Sequence, residues 1–144
     1  MILLDINPLV YAFRPDAPQH PAYVGWLEKL VNQDAAFGLA DIVCSGFIRV
    51  VTHPRVFSPP SPLDDALEYL EDIRAQPNCV ILAPGERHWR IFLQLCHAVG
   101  AKGNVVPDAY LAALAIESGS ELATADRGVA RFPGLRWRHP LDAG

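Results

Sequence analysis

Ile2-Leu3-Leu4-Asp5-Ile6-Asn7 opens the chain, and the reading of this stretch decides the fold. An unbroken apolar run stopped by a carboxylate reads as a short strand buried on both faces. Working outward, residues 36–39, 80–82, 121–123 and 135–137 give further short strands. Helical spacing fills the intervals. Val24, Leu27, Leu30 and Val31 predict a helix over residues 21–33, and Val43, Phe47, Val50 and Val51 mark a second, closed by Pro54. Ser58-Pro59-Pro60-Ser61-Pro62 reads as a rigid loop, because proline restrains its neighbours and donates no hydrogen bond. Leu63, Leu67, Leu70 and Ile73 define the next helix, and Trp89, Phe92, Leu93 and Cys96 another, ended by Gly100. Pro107 suits the first position of a last helix running to Gly119. Strands that alternate with helices imply an α/β fold, a mostly parallel central sheet flanked by helices. No repeat or linker divides the chain, so one domain over residues 1–144 is expected.

Composition narrows the class. Apolar residues make up 51% of the 144 and charged residues 19%, which fits a folded globular protein and excludes a disordered one. No apolar run approaches the roughly 20 residues of a membrane span, and the start lacks the basic and apolar regions of a signal peptide. A cytoplasmic protein is expected. Cys44, Cys79 and Cys96 share no Cys-x-x-Cys spacing and read as reduced thiols rather than a disulfide or zinc framework. The histidines likewise show no close metal-ligand spacing. The net charge of −4 excludes a bulk polycation that holds nucleic acid by charge alone. Acids crowd residues 64–72, a solvated helix face. Arg127, Arg131, Arg136 and Arg138 crowd the C-terminal region, either a phosphate-facing rim or an ordinary solvated face.

The chemistry-bearing residues are acids at element ends. Asp5 ends the first strand, Asp126 lies just past a later one, and Asp108 falls in the first turn after Pro107. In open parallel sheets the binding crevice opens at the carboxyl edge of the strands. Carboxylates gathered there would repel one another and invite a hard divalent cation, which polarises a phosphodiester and activates water. Each acid also has a plainer reading: Asp5 as a helix cap, Asp108 as a favourable first-turn charge, Asp126 as a turn residue.

The residues also carry a resemblance. The opening Ile2 to Asn7, the run Gly46 to Phe57 (Gly-Phe-Ile-Arg-Val-Val-Thr-His-Pro-Arg-Val-Phe), Asn104 through Pro107-Asp108-Ala109-Tyr110 to Ala115, and Thr124-Ala125-Asp126-Arg127-Gly128 to Leu135 follow one another as four blocks. In this order they resemble the PIN-domain ribonucleases, the VapC-type toxins in particular. The resemblance runs from end to end and implies a PIN domain over residues 1–144. It further implies a metal-dependent endoribonuclease with Asp5, Asp108 and Asp126 as Mg²⁺ or Mn²⁺ ligands, and Asn7 and Thr124 orienting them. An RNA substrate, a VapB-type antitoxin partner and a homodimer are implied with it. Arg127 and Arg131 are the candidates for RNA phosphate contacts, and Arg49 either pairs with a carboxylate, the reading preferred, or contacts RNA. Two departures stand out: Gly46 and Gly128 occupy positions where many members carry acids. Asp41 is the only acid near Gly46, either a substitute ligand or a helix-capping charge. The competing function is a PIN-fold module that binds RNA or a protein partner with weakened or no catalysis.

Overall fold

The computed structural model describes residues 1–142; the last two positions of the expected 1–144 domain lie outside them. Five strands form one sheet, β1 (Ile2–Leu4), β2 (Phe37–Ala40), β3 (Cys79–Leu82), β4 (Glu121–Ala123) and β5 (Trp137–Arg138). Their order is β3-β2-β1-β4-β5, and every recorded pairing is parallel. Parallel strands require crossovers, which are supplied by α1 (Ile6–Phe13), α2 (His20–Asn32), α3 (Asp41–Val51), α4 (Leu63–Arg74), α5 (His88–Val99) and α6 (Val105–Ser118).

The central position of β1 follows from its composition. Leu3 and Leu4 are fully buried, as Phe37 and Leu39 of β2 and Leu122 of β4 are nearly or wholly so. Gly38 lets β2 sit close under its neighbours: a Cβ there would meet Leu82 Cδ1 at 2.7 Å and Leu3 Cδ1 at 3.5 Å. On α6, Ala109, Ala112, Ala113 and Ala115 are all fully buried, so small side chains let this helix lie deep in the core. Gly100 and Gly119 end α5 and α6 in the left-handed conformation, with φ of 60° and 67°, where a side chain would be strained.

Three expectations need adjustment. α6 begins at Val105, so Pro107 is its third residue rather than its first. The change costs nothing, since amides of the first turn have no intrahelical partner to lose. The buried face of α4 is Ala66, Leu70 and Ile73, while Leu63 and Leu67 remain exposed. Only the second half of that leucine stripe reaches the core. The last strand is Trp137–Arg138, beginning two residues later than the expected start at residue 135. All three cysteines are free. Among the described residues no helix is long and apolar enough to cross a membrane.

Candidate active site

Asp5 leaves β1 in extended conformation and caps α1. Its Oδ1 accepts a hydrogen bond from the Ile6 amide at 2.7 Å, and its Oδ2 accepts one from Thr124 Oγ1 at 2.7 Å. The second contact is built into the sheet. Leu4 of β1 lies in register with Ala123 of β4, so the residues that follow each strand share one edge. Thr124 is fully buried there and acts as a hub. Besides donating to Asp5, its hydroxyl accepts from Asn7 Nδ2 and from the Asp126 amide, both at 3.1 Å. Asn7 Oδ1 closes the network by accepting from the Ala125 amide at 2.8 Å. Asp126 caps the short 3₁₀ turn Arg127–Arg131, its Oδ1 accepting from the Gly128 amide at 2.8 Å. Asp108 stands in the first turn of α6.

These elements bring Asp5, Asp108 and Asp126 to the wall of one cavity of about 330 Å³. Asn7 lines it as well, and most of the remaining wall is apolar, including Ile6, Val10, Val56 and Phe57. Burial, then the charges of Asp126 and Asp5, push the Asp108 carboxyl up to about 6, against a smaller opposing effect of Arg131. Burial also raises Asp5, with the hydrogen bonds from Thr124 and Ile6 opposing and the charge of Asp126 adding to the rise. The carboxylates therefore repel one another across a partly dehydrated space.

Whether a metal fits can be judged from the donors. The set is all oxygen and anionic, which suits a hard cation such as Mg²⁺ rather than a softer one. Among the described residues, however, no three His, Cys, Asp or Glu side chains are gathered into a metal-holding cluster. Hydrogen bonds within the protein already hold two of the acids: Thr124 and Ile6 hold Asp5, and the Gly128 amide holds Asp126. The donor chemistry fits a divalent ion that retains part of its water shell.

Other expected site residues lie elsewhere. Asp41 is the first residue of α3, largely exposed and paired with Arg74 at 2.7 Å, and does not line the cavity. That placement, with the first turn of α3 facing α4, lends no support to Asp41 as a substitute acid. Arg127 forms a two-pronged pair with Asp142 at 2.9 and 3.0 Å and lines a different cavity, with Trp26, Trp137 and His139. Arg131 stays nearer: its Nε donates to the Gly128 carbonyl at 2.7 Å, and its charge is felt at Asp108. Arg49 is exposed and forms no ion pair among the described residues.

A search of protein-family models matches residues 2–135 to the PIN domain. The chain belongs to the PIN-domain family. Its relatives place it among the VapC proteins: it is 51% identical to a VapC ribonuclease of Mycobacterium bovis, the match covering 99% of this chain and 97% of the relative. Ribonuclease VapC25 of Mycobacterium tuberculosis is 36% identical, over 97% of this chain and 99% of its own length. Among solved structures, VapBC2 of Rickettsia felis bound to a promoter DNA fragment superposes with a TM-score of 0.72 at 20% identity, covering 96% of this chain and 98% of that one. Mycobacterium tuberculosis VapC20, described as a toxin that cleaves the sarcin-ricin loop, gives 0.64 at 12% identity, covering 94% and 99%.

Within this PIN domain, the two positions that lack the expected acids are physically occupied. A Cβ on Gly46 would collide with the tip of Ile6, whose side chain fills the space. A Cβ on Gly128 would meet Arg131 Nη2 at 2.6 Å and Asp126 Oδ1 at 2.9 Å. An apolar group thus fills one vacated position and a cation covers the other. The sequence reading missed Val56 and Phe57 as cavity wall. They lie beyond the helix-ending Pro54, and nothing in the local pattern shows a loop folding back toward β1.

Proposed function

We propose that this PIN domain, taken as residues 1–144, is a Mg²⁺- or Mn²⁺-dependent endoribonuclease and the toxin of a VapBC-type pair. One observation carries the proposal: Asp5, Asp108 and Asp126 line the same cavity, and Asp108 is raised to about 6 by burial and by the other two. Asp5, Asp108 and Asp126 would hold the ion, which would supply Lewis acidity toward a phosphodiester and an activated water. The protein's own contribution is placement. Thr124 and Asn7 fix the direction of Asp5 and the backbone at Asp126 through four hydrogen bonds. Arg131, held over Gly128, adds a positive charge on the side where an RNA phosphate would approach the acids. Arg127 stands in reserve as a phosphate contact only if it leaves Asp142.

The test is cleavage of RNA by purified protein with Mg²⁺ or Mn²⁺ and with chelator. Cleavage is expected only with metal, and Asp5→Ala and Asp108→Ala should abolish it while circular dichroism shows an intact fold. Folded variants that cleave at the normal rate would remove these residues from the site. Gly46 and Gly128 support a second reading, a PIN-fold module that binds RNA or protein without turnover. Metal-dependent cleavage by the unaltered chain excludes it.

Structures of similar fold were solved as VapBC assemblies, two of them bound to DNA. That supports a VapB-type antitoxin as partner, acting in the cytoplasm. A homodimer is expected as well, for which exposed Trp89 and Leu93, one turn apart on α5, offer an apolar face. Sedimentation of Trp89→Glu against the unaltered protein tests that pairing.

A further inference from the structure

The loop after α3 is held down by a buried arginine from the end of α1. Arg14, at the end of α1, is 9% exposed. Its guanidinium donates to Ser61 Oγ at 2.9 Å, to the Pro59 carbonyl at 3.1 Å and to both oxygens of Asp16 at 2.9 and 2.8 Å. It also lies 4.3 Å from the centroid of the Phe57 ring. Burying a guanidinium is costly unless its donors are used, and here they hold the chain at Pro59 and Ser61, just after Phe57, while the guanidinium itself lies against the Phe57 ring.

The fastened segment forms part of the wall of the carboxylate cavity. Phe57 and Val56 line it, and Val56 remains 55% exposed at its rim. Ile6, Val10 and Val50 continue the apolar surface, so beside Phe57 the wall is mostly apolar, with Tyr11 and Asn7 as the polar side chains of the lining other than the acids. A nucleobase presents a flat apolar face, and aromatic stacking against it tolerates any sequence. A peptide segment would also find apolar contact here, but the adjoining acids favour a ligand whose phosphate is bound through a cation.

We propose that Phe57, flanked by Val56, forms a base-binding subsite for the nucleotide next to the phosphate engaged at Asp5, Asp108 and Asp126, and that Arg14 is the positioning residue of that ring. The proposal rests on the ribonuclease reading for the identity of the neighbouring phosphate. It implies weak discrimination among bases at this nucleotide and a preference for unstacked, single-stranded RNA.

The experiment uses a hexaribonucleotide carrying 2-aminopurine at each position in turn. Binding is followed by fluorescence in an Asp108→Asn background, which lessens repulsion of phosphate and removes turnover on the proposed reading. Quenching is expected at one position. Phe57→Leu, which keeps apolar bulk but removes the ring, should abolish that quenching and weaken binding about tenfold, and Phe57→Trp should restore both. A Phe57→Leu protein that is folded by thermal melting yet binds and quenches like its parent would overturn the subsite. Cleavage by the chain with native Asp108 is measured separately: no cleavage with Mn²⁺ defeats the ribonuclease reading, while the fluorescence still decides the subsite. Arg14→Lys should raise KM more than it lowers kcat, and combined with Phe57→Leu it should add little. Full additivity of the two changes would remove Arg14 from the positioning role.

Discussion

Two cavities on this molecule treat charge in opposite ways. In the one lined by Trp26, Trp137 and His139, the cations are matched with acids: Arg127 with Asp142, and Arg138 with Glu121 at 2.6 Å. In the one lined by Asp5, Asp108 and Asp126, the carboxylates meet no ion pair among the described residues, and burial, with the charge of neighbouring acids, raises Asp5 and Asp108 instead. The first arrangement resembles an ordinary solvated surface, whose pairs contribute little. The second leaves an electrostatic cost standing in a partly buried place, which folding alone gives no reason to keep. Unmatched charge of one sign in a partly buried place, rather than cavity size, separates the candidate site from solvated acidic faces such as that of α4.

The sharpest way to break this comparison is to neutralise one acid. Asp108→Asn should lower metal-dependent RNA cleavage by at least roughly a hundredfold, since an ion that stabilises the reaction by several kcal/mol would lose a charged ligand. The same change should leave the fold intact. Cleavage within a fewfold of normal, with the variant shown to be folded, would make the cluster a structural curiosity.

Next in size is the hub. Thr124→Val keeps shape but removes the hydroxyl that donates to Asp5 and accepts from Asn7 and the Asp126 amide. Leaving those buried groups unpartnered should cost about 1–3 kcal/mol in chemical denaturation, and Thr124→Ser should recover most of it. Equal stability of the Val and Thr forms would show that the network does not hold the acids in place.

The contrast is sharpened by pH. Asp108 is raised from 3.8 to about 6 in the folded protein, so the folded state binds its proton more tightly than the unfolded state. The stability from that proton is fully present below 3.8 and is lost as pH rises through about 6. Because this carboxyl is only half-buried, the loss should be about 1 kcal/mol after allowance for screening. Asp108→Asn should flatten this part of the stability profile in metal-free buffer. Metal affinity should rise over the same interval, as the ion displaces the proton. A profile unchanged by Asp108→Asn would show that Asp108 is not strained by its neighbours.

How much of this was legible in the sequence differs between scaffold and site. The strands were legible because each is a short apolar run stopped by a turn residue, and burial on both faces leaves no alternative pattern. The ends of elements were legible enough to name Asp5, Asp108 and Asp126. Their common cavity depends on β1 lying beside β4, a neighbour relation between residues over a hundred positions apart that no local spacing contains. The same limit applies to the other candidates. Asp41 and Arg127 have suitable types at element ends, but their pairing with Arg74 and Asp142 comes from tertiary placement that local spacing does not contain. Phe57 belongs to a motif visible in the sequence, while the Arg14 contacts that hold its loop come from the end of a distant helix.

The smallest expected effect belongs to the balanced cavity. Asp142→Asn frees Arg127 while leaving it charged, and the pair is exposed on both sides, so thermal stability should not change measurably. Cleavage should change little, unless the freed guanidinium reaches RNA, in which case binding should strengthen and become more dependent on salt. Salt titration of RNA binding separates these cases. A loss of cleavage as deep as that of Asp108→Asn would mean that the paired cavity, too, belongs to the catalytic machinery, and unmatched charge would no longer distinguish the site. With Asp142→Asn silent, the paired arginine is surface chemistry, and Arg131, seated over Gly128 beside the acids, becomes the cation to test against RNA.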